Sequence, residues 1–181
     1  MCWFARRFLA LVSAVDMKTL FFAGAFAAWA ALVAISDIRF RRIRNSLTVV
    51  GLVGALLCAF ANENPFGISF VQALIGAVCG LICLFPFFAL RVMGAADVKI
   101  FAVMGAWCGT HALLGIWIVA SFAACVHALG VMFISRMSVG ELFNRGMPTM
   151  VVGNRRATPY AAFLVMPAVV WLGYLLVQRG I

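Results

Sequence analysis

Long apolar runs with almost no charge inside them constrain this chain more than any other feature. Hydrophobic residues make up 66% of the 181 positions and charged residues only 10%. A soluble domain keeps roughly a quarter of its residues charged, so this chain lacks the polar sequence to coat a globule. A bilayer is the solvent that accepts such a composition. At about 20 residues per crossing, six crossings and their loops would use nearly the whole length. The expected fold is therefore all-α: a polytopic membrane bundle of about six transmembrane helices, forming one membrane-embedded domain over residues 1–181.

The runs predict spans near 18–36, 46–61, 69–90, 98–108, 112–135 and 159–177. Between them lie a basic loop at 37–45 and a turn-rich segment at 62–67. A Gly/Ala connection follows at 91–97, a minimal turn at 109–111 and a basic stretch at 136–156. Residues 1–17 read as an interfacial segment, because the apolar run from Phe8 to Val15 is too short to cross and Arg6 and Arg7 flank it. Gly76 and Gly80, four apart in the third span, allow another helix to come close.

Lys and Arg total 14 against 5 Asp and Glu, a formal charge of +9. No basic patch interleaved with aromatics accompanies that excess, so no nucleic-acid partner is expected. Cytoplasmic loops facing anionic membrane lipids explain it better. Placing the loop after the first span in the cytoplasm puts ten basic residues on that side and four on the other. Arg6, Arg7 and Lys18 are the charges that run against this topology.

Several chemistries find no support. The six cysteines contain no CxxC pair and read as apolar packing residues. No HExxH or GxSxG motif occurs, which disfavours metalloprotease and serine mechanisms. No metal and no cofactor is expected. His127 reads as a hydrogen-bonded packing residue inside a span, and His111 as a solvated turn residue.

Acids are the scarce resource: Asp16, Asp37, Glu63, Asp97 and Glu141. Asp37 closes the first span and Asp97 opens the fourth, so the topology places both at the same membrane edge. Two facing carboxyls cannot both ionise cheaply and titrate as a unit. One can take a proton from water while the other donates to a peptide carbonyl, which is enough to hydrolyse an amide without metal or covalent nucleophile. Taken singly, each acid has a plainer reading. Asp97 could cap its helix, and Asp37 could pair with Arg39 or Arg41.

The motifs around the acids narrow the choice. Asp37-Ile-Arg-Phe-Arg-Arg-Ile-Arg-Asn45 resembles the Asp, basic residues and Ile-Pro-Asn of the type IV prepilin peptidases. Gly94-Ala-Ala-Asp97-Val-Lys99 resembles their Gly-x-Gly-Asp-x-Lys, and Thr158-Pro-Tyr-Ala161 their Pro-Tyr-Gly or Pro-Phe-Gly element. The chain looks like the short form found with tight-adherence pili, without the N-terminal domain linked to methyl transfer.

That resemblance implies an aspartic endopeptidase of the inner membrane. It would cut prepilin-like precursors at the cytoplasmic edge and work beside pilus or secretion machinery. Asp37 and Asp97 would be catalytic, with Gly94, Ala96, Lys99 and Asn45 supporting the site. Gly94 would let the backbone turn tightly beside Asp97. Lys99 would orient the site or face lipid. Two positions depart from the family pattern: Ala96 replaces the second glycine and Arg44 the proline. They keep a non-catalytic assembly subunit open as an alternative. A proton or cation transporter is a further one, though no inverted repeat is visible.

Overall fold

The computed structural model describes residues 17–40, 43–135 and 160–179. They form five helices: α1 (Met17–Phe40), α2 (Asn45–Phe60), α3 (Phe70–Ala89), α4 (Ala95–Ser135) and α5 (Tyr160–Arg179). The interfacial reading of residues 1–16, the basic stretch 136–156 and Glu141 lie outside the described residues. Four of the helices are long and apolar enough to cross a membrane, and α2 is a shorter apolar helix.

α4 is not one rod. Gly109 leaves helical geometry at φ 75° and ψ 172°, a conformation open essentially to glycine alone. The chain folds back there. Phe101 before the bend and Leu113, Leu114 and Trp117 after it line one cavity against α3. Counting its two arms separately gives six helical segments, close to the expected spans. The expected turn at 109–111 is tighter than the sequence implies, since both neighbours of Gly109 remain helical. A methyl group at Gly109 would also lie 2.9 Å from Ile68 Cδ1. Gly109→Ala is therefore expected to cost about 1–3 kcal/mol, measured as a lower midpoint of thermal unfolding in detergent.

The first arm of α4, Ala95 to Cys108, is about 21 Å long at 1.5 Å per residue, short of a full bilayer core. The loop between α2 and α3 rises to meet it. Asn64, Pro65 and Phe66 of that loop are buried. A helix broken at Gly109 leaves carbonyls of the preceding turn without intrahelical donors. Asn64 Nδ2 donates to one of them, Trp107 O, at 3.3 Å, while Asn64 Oδ1 accepts the Phe66 N–H at 2.8 Å. Non-helical backbone at membrane depth is tolerated only where protein satisfies it in this way. Arg179 at the end of α5 donates to Pro65 O at 3.1 Å, and Lys18 at the start of α1 pairs with Glu63 at 3.6 Å. The start of α1, the 61–69 loop, the bend of α4 and the end of α5 thus share one end of the bundle.

The core is built around α4. Phe26 of α1 lies 5.1 Å from both Phe66 and Trp107 by ring centroids. Ile100 and Met104 of α4 and Leu164 and Val165 of α5 are buried with it. Two indoles tie down α2: Trp29 Nε1 donates to Leu47 O at 2.9 Å and Trp107 Nε1 to Gly51 O at 3.1 Å. Across α3 and α4, Gly76 meets Gly105 and Gly80 meets Phe101, backbone on backbone. The outer faces carry Phe21, Leu57, Phe122 and Val170, all more than 60% exposed. An apolar exterior around a packed interior is what lipid, rather than water, requires.

Candidate active site

At the other end of the bundle three helix ends converge. Asp37 lies in the last turn of α1, Asp97 in the first turn of α4, and Tyr160 opens α5. Asp37 and Asp97, sixty positions apart in sequence, come close enough for their charges to act on one another. Both are partly buried. The plainer reading of Asp97 as a cap holds beside this one: it is the third residue of α4, and its carboxylate accepts a hydrogen bond from the backbone of Gly94, the residue before the helix.

Asp37 makes a contact that sequence reasoning missed. Its Oδ2 accepts the backbone N–H of Ala162, in the first turn of α5, at 3.0 Å. The carboxyl end of a helix is an unfavourable place for a carboxylate, and the amino end a favourable one. Asp37 belongs to the first by sequence and to the second by contact. The amino end of α5 thus offsets the penalty that α1 imposes. No pattern in the sequence pairs residue 37 with residue 162. The Thr158-Pro-Tyr-Ala161 motif, with proline just before a helix start, is the only local sign that this segment ends at the site.

Tyr160 lies beside Asp97, near enough for that acid's charge to reach its hydroxyl, and its hydroxyl lies 3.0 Å from Ser121 Oγ. Ser121 sits twelve positions beyond Gly109, as Asp97 sits twelve before it. The hairpin therefore returns Ser121 to the level of the acid. Sequence alone gave Ser121 no partner.

The other motif residues make contacts that the motifs do not specify. Gly94 does not adopt a positive φ, so glycine is not needed there for a tight turn. It provides room instead: a methyl group would sit 3.2 Å from Asp97 Oδ2. Ala96 lies in the first turn of α4 without positive φ, so alanine fits where the family pattern has glycine. Lys99 Nζ donates to Asn45 Oδ1 at 3.0 Å, joining α4 to the start of α2. His127 is exposed, its ring 5.6 Å from that of Phe163, and His111 is exposed but helical.

Arg44 resolves the other departure. It precedes α2 at φ −68° and ψ 138°, the φ that a proline ring imposes. The loop therefore holds a proline-like conformation without proline. Arg44→Pro is expected to leave the bundle intact and to raise stability by up to about 1 kcal/mol, by restricting the unfolded chain. Thermal unfolding in detergent checks this.

Among the described residues no group of three or more metal-ligating side chains occurs. What the fold and site define is a polytopic membrane protein with two acids brought together at one end of a helix bundle. The chain belongs to the type IV leader peptidase family, whose model matches residues 24–129. That stretch contains both acids and Ser121 and stops short of α5. A prepilin leader peptidase/N-methyltransferase of Xanthomonas campestris pv. campestris is 32% identical over 108 residues, covering 52% of this chain and 35% of that protein. The chain thus spans about a third of the length of that curated relative. No solved structure matches.

Proposed function

We propose that this chain is an intramembrane aspartic endopeptidase that removes the leader of prepilin-like precursors at the cytoplasmic edge of the bacterial inner membrane. The observation that carries the reading is the meeting of Asp37 and Asp97 from helices distant in sequence, in a chain of the leader peptidase family. Residues 1–181 act as one membrane-embedded domain in this reading. The cytoplasmic assignment rests on basic residues at the site end, where Arg39, Arg44, Arg91 and Lys99 are exposed. Anionic lipid headgroups suit the same residues.

The reaction needs two protons moved in concert. Asp37, which accepts the Ala162 N–H, serves as the charged partner and takes a proton from water. The water oxygen bonds to the scissile carbonyl carbon, and Asp97 gives its proton to the carbonyl oxygen. The tetrahedral diol then collapses: the C–N bond breaks, the nitrogen takes the proton held by Asp37, and Asp97 recovers its own. Each acid returns to its starting state, and neither forms a covalent bond to substrate.

Co-expression with a prepilin-like precursor tests this directly. The expected result is a size shift equal to loss of the leader, with a new N-terminus identified by mass. Precursors that keep their leaders in the presence of folded protein would overturn the reading.

A further inference from the structure

We propose that Ser121 and Tyr160 are positioning residues for the acid pair: their hydroxyl–hydroxyl bond fixes the amino end of α5 and, with it, the N–H that Asp37 accepts. This deepens the peptidase reading and rests on it. The observations form a chain of contacts. Ser121 Oγ lies 3.0 Å from Tyr160 OH, and either hydroxyl can donate. Tyr160 is the first residue of α5, and Ala162 follows two positions on. The Ala162 N–H donates to Asp37 Oδ2 at 3.0 Å. Ser121 is on the second arm of α4, while Asp97 is on the first. One bond therefore ties the arm that returns from the Gly109 bend to the helix that holds the opposite acid.

The physical reason is the sensitivity of a two-proton reaction to placement. Two residues of helix rise about 3 Å, so Tyr160 and the Ala162 amide move almost as one body. Catalytic groups must be held within roughly 0.5 Å and 10–20° of productive geometry. A first helical turn frays unless something anchors it, and here its last free amide reaches an acid of the site. Tyr160 is partly buried and Ser121 likewise, so water competes poorly for their bond. Neither hydroxyl bonds a reacting atom in this scheme, and the Ser121–Tyr160 bond exerts its effect through α5.

The alternative role for this bond is simple packing of α4 on α5. The two roles separate in kinetics. The full chain, reconstituted in lipid vesicles with a prepilin-type substrate, is compared with Ser121→Ala, Tyr160→Phe, the double variant and Ser121→Thr. Loss of one hydrogen bond of ordinary strength corresponds to roughly a fivefold fall in rate. Each single variant is expected to lose about that much kcat with KM within about twofold, since neither hydroxyl contacts substrate. The double variant is expected to be no slower than the slower single, because Tyr160→Phe already removes the bond that Ser121 makes, along with the Trp117 contact of the same hydroxyl. Ser121→Thr, which keeps the hydroxyl, is expected to restore the rate.

Native kcat in both single variants overturns the proposal. So do losses that multiply in the double variant, and a kcat loss matched by an equal loss of folded protein in thermal unfolding. Failure of the unsubstituted chain to cut any precursor would instead remove the peptidase reading beneath it. Unaffected variants of an active chain would remove only the role of Ser121 and Tyr160.

Discussion

Asp37→Asn and Asp97→Asn are each expected to abolish leader cleavage, by about a thousandfold or more, while the bundle stays folded. The magnitude follows from general acid–base catalysis, in which one positioned proton-transfer group contributes typically 10²–10⁴-fold. Asparagine keeps the size of aspartate and an acceptor oxygen, but it can neither take nor release a proton at neutral pH. In Asp37→Asn the Ala162 N–H still finds an oxygen at the place where Asp37 Oδ2 now accepts it at 3.0 Å. Asp37→Ala removes that acceptor as well and leaves a backbone donor unpaired in a buried turn. It is expected to lose about 1–3 kcal/mol of stability in addition to activity. Comparing the two substitutions by single-turnover cleavage and thermal unfolding separates chemistry from fold. Near-native cleavage by both asparagine variants would sink the mechanism. A pair that shares one proton also requires a rate that falls at both acid and alkaline pH. A flat profile would be incompatible with it.

Gly76→Val and Gly105→Val are each expected to cost about 3 kcal/mol or more and to leave little folded protein. A methyl group on Gly76 would lie 2.7 Å from the carbonyl carbon of Gly105, and one on Gly105 would lie 3.2 Å from Ala77 N. Overpacking a core ordinarily costs about 1–3 kcal/mol because side chains shift to make room. Here both neighbours are backbone, which cannot rotate aside, so α3 and α4 must separate. Gly80 shows the same register one turn along, where a methyl group would sit 2.8 Å from Phe101 O. Gly115 provides the contrast, with nothing within 4 Å of its added Cβ. Gly115→Ala is expected to keep the fold and gain up to about 1 kcal/mol from helix propensity. Thermal unfolding in one detergent measures all three. Equal midpoints for Gly105→Val and the native chain would show that the helices do not cross as described.

The two expected results draw on different levels of information. Gly76 and Gly80 were legible as a close-approach stripe, since spacing of four puts both on one helix face. That Gly105 is the surface they meet was not legible, because nothing local distinguishes it from Gly115, ten positions further on. Asp37 and Asp97 were legible as two acids at one end of the bundle, because apolar runs fix where spans end and basic loops fix which ends match. Arg44 and Ala96 looked like departures in the motif, yet φ shows that both backbones accept the residue present. Gly94 looked like a turn residue and proves to be a space beside Asp97 Oδ2.

By itself the sequence determined the bundle, its approximate spans, the scarcity of acids and the end at which two of them gather. Those follow from composition and hydrophobic runs, which are properties of the chain read in order. Tertiary structure alone decided that Asn64 satisfies the Trp107 carbonyl in the turn before Gly109 and that Asp37 accepts an amide from α5. Ser121 and Tyr160 meet for the same reason. Each of these joins positions far apart in the chain, and hydrogen bonds of this kind depend on where helices cross, which periodicity does not encode.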